Sequence, residues 1–330
     1  MTVIFDGIAS GMLLFLIGVG LSVTLGLMNF INLAHGAFAM FGGYLCVSLL
    51  NRADVPFLAA LPLAAAGTAL IGLVFERTLY RRLYSATHFD QVLFSIGLVF
   101  MSISTAHYFF GAQQQPLVLP DFLRGQIHLP GLDMGVYRLF LIVLGIAIAF
   151  GLQRLVSSTR FGAQLRASVD NPRAARGVGI DVERVFTLTF ALGTALAGLG
   201  GALGVDMLGL DPNFPVKYIV YFLIVAAVGG SGSILGSLLA SLILGVADVA
   251  GKYYVPEIGA FVIYAVMVAM LIVRPQGLFG RGTRRGSESR WQRSYLAGCR
   301  VYHRQSAFPW GEADEATPWS RLHGSSSRGL

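Results

Sequence analysis

Apolar residues run through this chain in blocks the length of a membrane span, separated by short polar or glycine-rich breaks. Crossing a bilayer as a helix takes roughly 20 apolar residues, within a range of about 17–25. On that criterion the pattern predicts helices near 7–28, 34–51, 57–75, 91–110, 136–156, 185–205, 216–232, 234–250 and 258–274. The segment 216–232 is short and runs into "GGSGS", which marks a broken or re-entrant helix. The expected fold class is therefore all-α: a polytopic helical membrane protein with eight or nine transmembrane or re-entrant helices. The opening "MTVIFDGIASGMLLF" has no basic stretch and no small-residue cleavage site ahead of its apolar run. It reads as the start of the first span, not as a removable leader.

The breaks carry an orientation signal. Arg77, Arg81 and Arg82 lie in 76–90, and Arg154, Arg160, Arg166, Arg173, Arg176 and Arg184 lie in 154–184. The segment after "RPQGLFG" is arginine-rich as well, whereas 111–135 has Arg124 alone and three prolines. Positive residues are retained on the cytoplasmic side. The first three segments are thus expected inside, and 111–135 and 206–218 outside.

Composition agrees with the pattern. Of 330 residues, 55% are hydrophobic and 12% charged, with a mean hydropathy of +0.68. Ordinary soluble domains carry about 25% charged residues. The 41 glycines suit helices that approach closely in lipid. A net charge of +7 would point to nucleic acid in a soluble protein; here the arginines orient helices, and no nucleic-acid partner is expected. Cys46 and Cys299 permit no disulfide framework, and Cys46 reads as a small hydrophobe.

Several chemistries have no foothold. The two lysines, Lys217 and Lys252, lie outside any GxxxxGK[ST] loop, so the chain has no P-loop for a nucleotide. HExxH, GxSxG and CxxC are absent, and no metal or other cofactor is expected. Ion-coupled transporters bury carboxylates in their spans. Asp206, near a helix end, and Asp248 are the acids that reading places at membrane depth.

The segment "TRFGAQLRASVDNPRAARGVGID" (159–181) is polar amid apolar neighbours. Ala163, Ala167, Ala174 and Ala175 are small, and Arg166 and Asp170 lie four apart, on one helical face. Asn171-Pro172 breaks or restarts a helix, and Gly177 and Gly179 can end one. A short helix with a small-residue face and fixed charges suits docking on a cytoplasmic ATPase. A solvated loop whose arginines only set topology has the same spacing.

That segment resembles the EAA-like coupling segment of the branched-chain amino acid permease family (LivH-like) of ABC importers. "GLSVTLGLMNFINLAHGAFAMFGGY" (20–44) looks like the family's N-terminal signature, and "ERTLYRRL" (76–83) like its first cytoplasmic turn. "AAVGGSGSILGSLLASLILGVAD" (226–248) resembles its glycine-rich late hairpin, and "RPQGLFG" (274–280) its usual ending. The resemblance covers about residues 7–280 and is shared with urea and short-amide permeases. It implies a second homologous permease subunit, two cytoplasmic ABC ATPases that bind and hydrolyse the ATP, and a periplasmic amino-acid-binding protein. The chain itself is then no enzyme. On that reading Arg166, Ala167, Asp170, Asn171, Ala174, Ala175, Gly179 and Ile180 form the coupling loop. The rivals are a urea or amide permease, an ion-coupled secondary transporter and a passive channel. A secondary transporter calls for buried acids and inverted repeats, of which few and none are evident; a channel has no use for a coupling loop.

Asn29, Asn32 and His35 recur every three residues in an otherwise apolar region, a polar stripe on one helical face. They are candidates for the wall of a translocation path, or for hydrogen bonds between helices. The spacings Gly7/Gly11, Gly200/Gly204 and Gly232/Gly236 read as helix-packing faces, within the chain or against a partner. Residues 1–280 are expected to form the transmembrane permease domain. Residues 281–330 hold all three tryptophans without apolar periodicity and depart from the family, and composition predicts a disordered cytoplasmic tail.

Overall fold

The computed structural model describes residues 2–28, 32–83, 86–129, 132–230, 232–274 and 277–279. Asn29 and the tail 281–330 lie outside them. The chain is a bundle of long apolar helices: α1 (Thr2–Met28), α2 (His35–Ala53), α3 (Phe57–Phe75), α4 (Arg81–Leu83), α5 (His88–Phe110), α6 (Val136–Ser158), α7 (Arg160–Asp170), α8 (Pro172–Gly177), α9 (Val182–Leu208), α10 (Phe214–Gly229), α11 (Ile234–Tyr254) and α12 (Gly259–Val273). Each predicted span is present, most of them longer than expected. Hydrocarbon supplies no hydrogen bonds, so a helix, which satisfies its own backbone, is what such runs form. Among the described residues six helices are long and apolar enough to cross a membrane, and α10 and α12 are shorter apolar helices. Strands β1 (Gln126–Leu129) and β2 (Leu132–Gly135) form an antiparallel hairpin that the apolar pattern did not announce.

The bundle is built around α1 and α9. α1 packs against α11, α9, α10 and α6, and α9 against α2, α3 and α1. Glycine makes these contacts close. Gly7 meets Val246, and Gly11 meets Ser241, Leu242 and Gly245, so α1 and α11 touch backbone to backbone. A methyl group on Gly201 would overlap the Ala39 carbonyl, which sets how near α9 lies to α2. Of the predicted packing pairs, Gly200 sits on Ile17 of α1, and Gly204 looks toward Leu13 and Leu208 more loosely. Gly232 and Gly236 do not share a helical face. Gly232 lies in the turn before α11 with φ +82°, its N–H donating to the Ser22 carbonyl at 2.9 Å. Gly236 opens α11 against the Gly229 carbonyl. The GSG sequence favours a tight turn over a continuous helix, so spacing alone misplaced this pair.

Large side chains point outward from the rim: Leu70 and Val74 on α3, Phe100 and Met101 on α5, Ile146 and Phe150 on α6, Phe261 and Ile272 on α12. Such a girdle would be an aggregation hazard in water but is the ordinary surface of a helix in lipid.

The polar segments sort to two ends. At one, Arg138 at the start of α6 pairs with Asp6 of α1. A cavity of about 620 Å³ there is bordered by Thr2, Leu123, Arg124, Tyr137, Asp206 and Met207. Gln115 and Leu210 bridge at the same end. At the other, Arg81 pairs with Glu183, and Gln153, Arg166, Ser233 and Phe279 surround a cavity of about 270 Å³. The arginine-rich segments 77–82 and 154–184 therefore share an end, together with Phe279, opposite 111–129 and 206–213.

Candidate functional site

Two groups of residues stand apart from the apolar packing: the α7–α8 segment at the arginine-rich end, and a buried polar cluster around the start of α2.

The α7–α8 segment is held at its base and open at its tip. Thr159 caps α7, accepting from the Gly162 N–H at 3.2 Å. Gly162 lies so close to the Val156 carbonyl that a methyl group would overlap it, and the Arg166 guanidinium donates to that same carbonyl. Leu165 and Ser168 turn inward. The helix stops at Asp170, and Asn171 restarts it, its Oδ1 accepting from the Ala174 N–H at 3.0 Å with Pro172 in the first turn. This is the break expected at Asn171-Pro172. α8 ends at Gly177, and Gly179 follows with φ +85°. Asp170, Asn171, Ala174 and Gly179 are exposed, whereas Ala175 is buried and Arg166, Ala167 and Ile180 are half-buried. The sequence reading did not single out Val178, which is 77% exposed beside Ala174 and Gly179. The exposed tip thus mixes small and apolar residues (Ala174, Gly177, Val178, Gly179) with polar and charged ones (Asp170, Asn171, Arg173, Arg176).

The second group lies deep in the bundle. α2 begins beside Ile17 and Gly20, so its start lies about two turns before the end of α1. Asn32 precedes α2 and is not on a helical face; His35 is the first residue of α2. The expected stripe is a turn at this point, because the helix starts only at His35. Asn32 and His35 are each 1% exposed. The Asn32 Oδ1 accepts from the Ala34 N–H at 3.1 Å and from the Tyr80 hydroxyl at 2.9 Å. The His35 Nε2 lies 2.8 Å from the Ile17 carbonyl. The ring reaches it because Gly20 has no side chain: a Cβ there would lie 2.9 Å from His35 Cε1.

Tyr80 and Glu76 were missed by the sequence reading, which took 76–83 for a cytoplasmic turn. The chain instead continues α3 through a π-helical turn, Glu76–Tyr80, into α4. Glu76 and Tyr80 are one turn apart and both buried, while Arg77 and Arg81 beside them are exposed. Glu76 Oε2 accepts from the Thr187 hydroxyl of α9 at 2.9 Å. A signal was present: each acid or aromatic stands four apart from the other, one step out of phase with the arginines. Among the described residues the buried acids are thus Glu76 and Asp248, the latter paired with Lys252 at 2.6 Å. Asp206 is exposed in the last turn of α9. Among the described residues no three His, Cys, Asp or Glu side chains gather as a metal site.

Comparison with known proteins places the chain in a family. The family model described as "branched-chain amino acid transport system / permease component" matches residues 3–271. The high-affinity branched-chain amino acid transport system permease protein BraD of Pseudomonas aeruginosa is 27% identical over 292 residues, covering 84% of this chain and 94% of that protein. The probable branched-chain amino acid transport permease protein LivH of Methanocaldococcus jannaschii is 28% identical over 285 residues, covering 81% and 89%. The high-affinity permease protein LivH of Escherichia coli is 26% identical over 303 residues, covering 84% and 94%. No solved structure matches the chain. With a family match over residues 3–271, most of its length, the chain belongs to the permease components of branched-chain amino acid transport systems.

Proposed function

We propose that this chain is the membrane subunit of an ABC importer that carries branched-chain or related amino acids across a bacterial inner membrane. It pairs with a second homologous permease subunit. Two cytoplasmic ATPases bind and hydrolyse ATP at the arginine-rich end, and a periplasmic binding protein delivers the amino acid at the other. The C-terminus is cytoplasmic on this reading, and the chain itself holds no cofactor.

The observation that carries the proposal is the α7–α8 tip. Val178, Ala174 and Gly179 are displayed there beside the fixed charges Asp170, Arg173 and Arg176, a combination of small residues and charges suited to docking in a cleft of another protein. The segment is fastened to the end of α6 through Arg166 and Gly162, and leads through Asp181 directly into α9, the central helix. A push on the tip therefore reaches the core of the bundle. Asn32 and His35 supply polarity at membrane depth for a solute that keeps both its charges, since a wholly apolar route imposes a steep desolvation barrier.

The test is Asp170→Arg in the complete importer. The charge reversal sits on the exposed end of α7. Uptake is expected to fall tenfold or more while ATP hydrolysis continues and the permease stays in the membrane at wild-type level. Full uptake by a normally expressed variant would place the ATPase contact elsewhere.

A further inference from the structure

Asn32 and His35 have one fixed end and one idle end each. The Ala34 backbone N–H is only a donor, so the Asn32 atom it meets at 3.1 Å is the amide oxygen. The side-chain orientation follows without further choice, and the Tyr80 hydroxyl at 2.9 Å donates to the same oxygen. The amide nitrogen, Nδ2, is buried with no hydrogen-bond partner. The Ile17 carbonyl, in turn, is only an acceptor, so the His35 Nε2 facing it at 2.8 Å carries a proton. No acid is hydrogen-bonded to the ring, and an unpaired charge is too costly at this depth, so the ring is neutral. Its Nδ1 is then a bare lone pair, and it too is buried without a partner. The two residues belong to one turn, the His35 N–H reaching the Asn32 carbonyl at 3.4 Å.

Buried polar atoms are normally satisfied, and an exception calls for a reason. Several buried side-chain atoms lack a partner, but the two in this turn are of opposite kind: two N–H donors on Asn32 and one acceptor on His35. A carboxylate only accepts hydrogen bonds and an ammonium only donates them. We infer that Asn32 and His35 are a neutral reading pair for a zwitterionic α-amino acid, with Asn32 Nδ2 donating to its carboxylate and His35 Nδ1 accepting from its ammonium. Tyr80 is a positioning residue, holding the amide so that its nitrogen is the end on offer. Gly20 and the Ile17 carbonyl do the same for the imidazole. Both residues are enclosed in this conformation, so the solute meets them only when the surrounding helices part. Being neutral, the pair lowers the barrier without trapping the solute as an ion pair would.

This inference rests on the import reading, and the experiment separates the two. The complete importer is reconstituted in proteoliposomes with saturating binding protein, and initial leucine uptake is expressed per assembled complex. Asn32→Asp keeps the size and the acceptor used by Ala34 and Tyr80 but loses both amide N–H donors, leaving a carboxyl group that repels the solute's carboxylate when ionised and offers a single O–H when protonated. It is expected to lower uptake at least tenfold. His35→Gln, which retains an acceptor, is expected to keep at least threefold more uptake than His35→Leu. Tyr80→Phe removes one of the two donors that hold the Asn32 oxygen and leaves the Ala34 N–H alone to orient the amide, with an expected loss of about threefold at unchanged assembly. Uptake by Asn32→Asp within twofold of wild type overturns the pair. Should that variant fail to assemble, Tyr80→Phe decides: wild-type uptake overturns the pair, and the threefold loss supports it. Equal losses in His35→Gln and His35→Leu likewise reduce His35 to a packing residue and overturn it. Wild-type complex that hydrolyses ATP but moves no leucine defeats the import reading itself.

Discussion

Glu76 shows how one residue's surroundings change its meaning. Within "ERTLYRRL" it reads as part of a charged turn, yet the residue is 1% exposed and its carboxyl group accepts a hydrogen bond from Thr187. Removing the donor takes one hydrogen bond from a buried carboxyl group, which costs about 1–3 kcal/mol. Thr187→Val is therefore expected to lower the melting temperature of the detergent-solubilised protein by several degrees, while the exposed Thr78→Val does not. Equal melting temperatures for the two variants would show that α9 and the π-helical turn are held together by other contacts. The same scale explains why Asn32 was found from sequence but Tyr80 was not. An asparagine in an apolar run is conspicuous. A tyrosine among arginines is not, and its contact with Asn32 spans 48 residues of chain.

At the scale of elements, the helices were legible because burial in lipid demands long uninterrupted apolar runs, and this chain has them. Their ends were less so, since polar residues such as Arg77 and Arg81 can continue a helix beyond the hydrocarbon, as α3 does through Glu76–Tyr80 into α4. The starting depth of α2 was not legible either: it depends on His35 reaching Ile17, a contact between two helices. The hairpin Gln126–Gly135 went unread because four-residue strands leave too little periodicity. Of the candidate site, the α7–α8 break at Asn171-Pro172 was written in local turn chemistry, whereas which of its residues face outward was not. Helix contacts carry a prediction of their own. Gly11 and Gly245 bring α1 and α11 into backbone contact, so Gly245→Leu must force them apart. Overpacking costs about 1–3 kcal/mol, more where backbone is the obstacle. Thermal melting in detergent should show a lower midpoint for Gly245→Leu, with Gly97→Leu as a control, because a Cβ at Gly97 has open space around it.

For the whole molecule, the family match ends at residue 271 and the described residues at 279. A chain truncated after Gly280 is accordingly expected to insert and support uptake within twofold of the full chain. Loss of uptake at equal membrane abundance would assign the last 50 residues a part in transport. The two ends of the bundle set a further expectation: single cysteines introduced at Val178 and at Phe122, both exposed, should be labelled by a membrane-impermeant reagent from opposite sides of the membrane. Labelling of both from the same side would break the assignment of ends.

The shortness of α10 has a consequence for how the protein is made. Sixteen residues rise about 24 Å, less than the roughly 30 Å of a hydrocarbon core. α10 also carries Lys217 in its first turns, and its Phe222, Val225 and Val228 are covered by neighbours. A nascent chain ending at Gly230 thus offers the translocon a segment poorly suited to stand alone in the bilayer. The tight turn at Gly230 and Gly232 delivers α11 immediately afterwards, antiparallel to it, and the two can enter as a hairpin. Reporter domains fused after Gly230 and after Tyr254 should differ accordingly: the first protected inefficiently, the second anchored firmly. In this chain the order of synthesis supplies the partner that one helix lacks the length to do without.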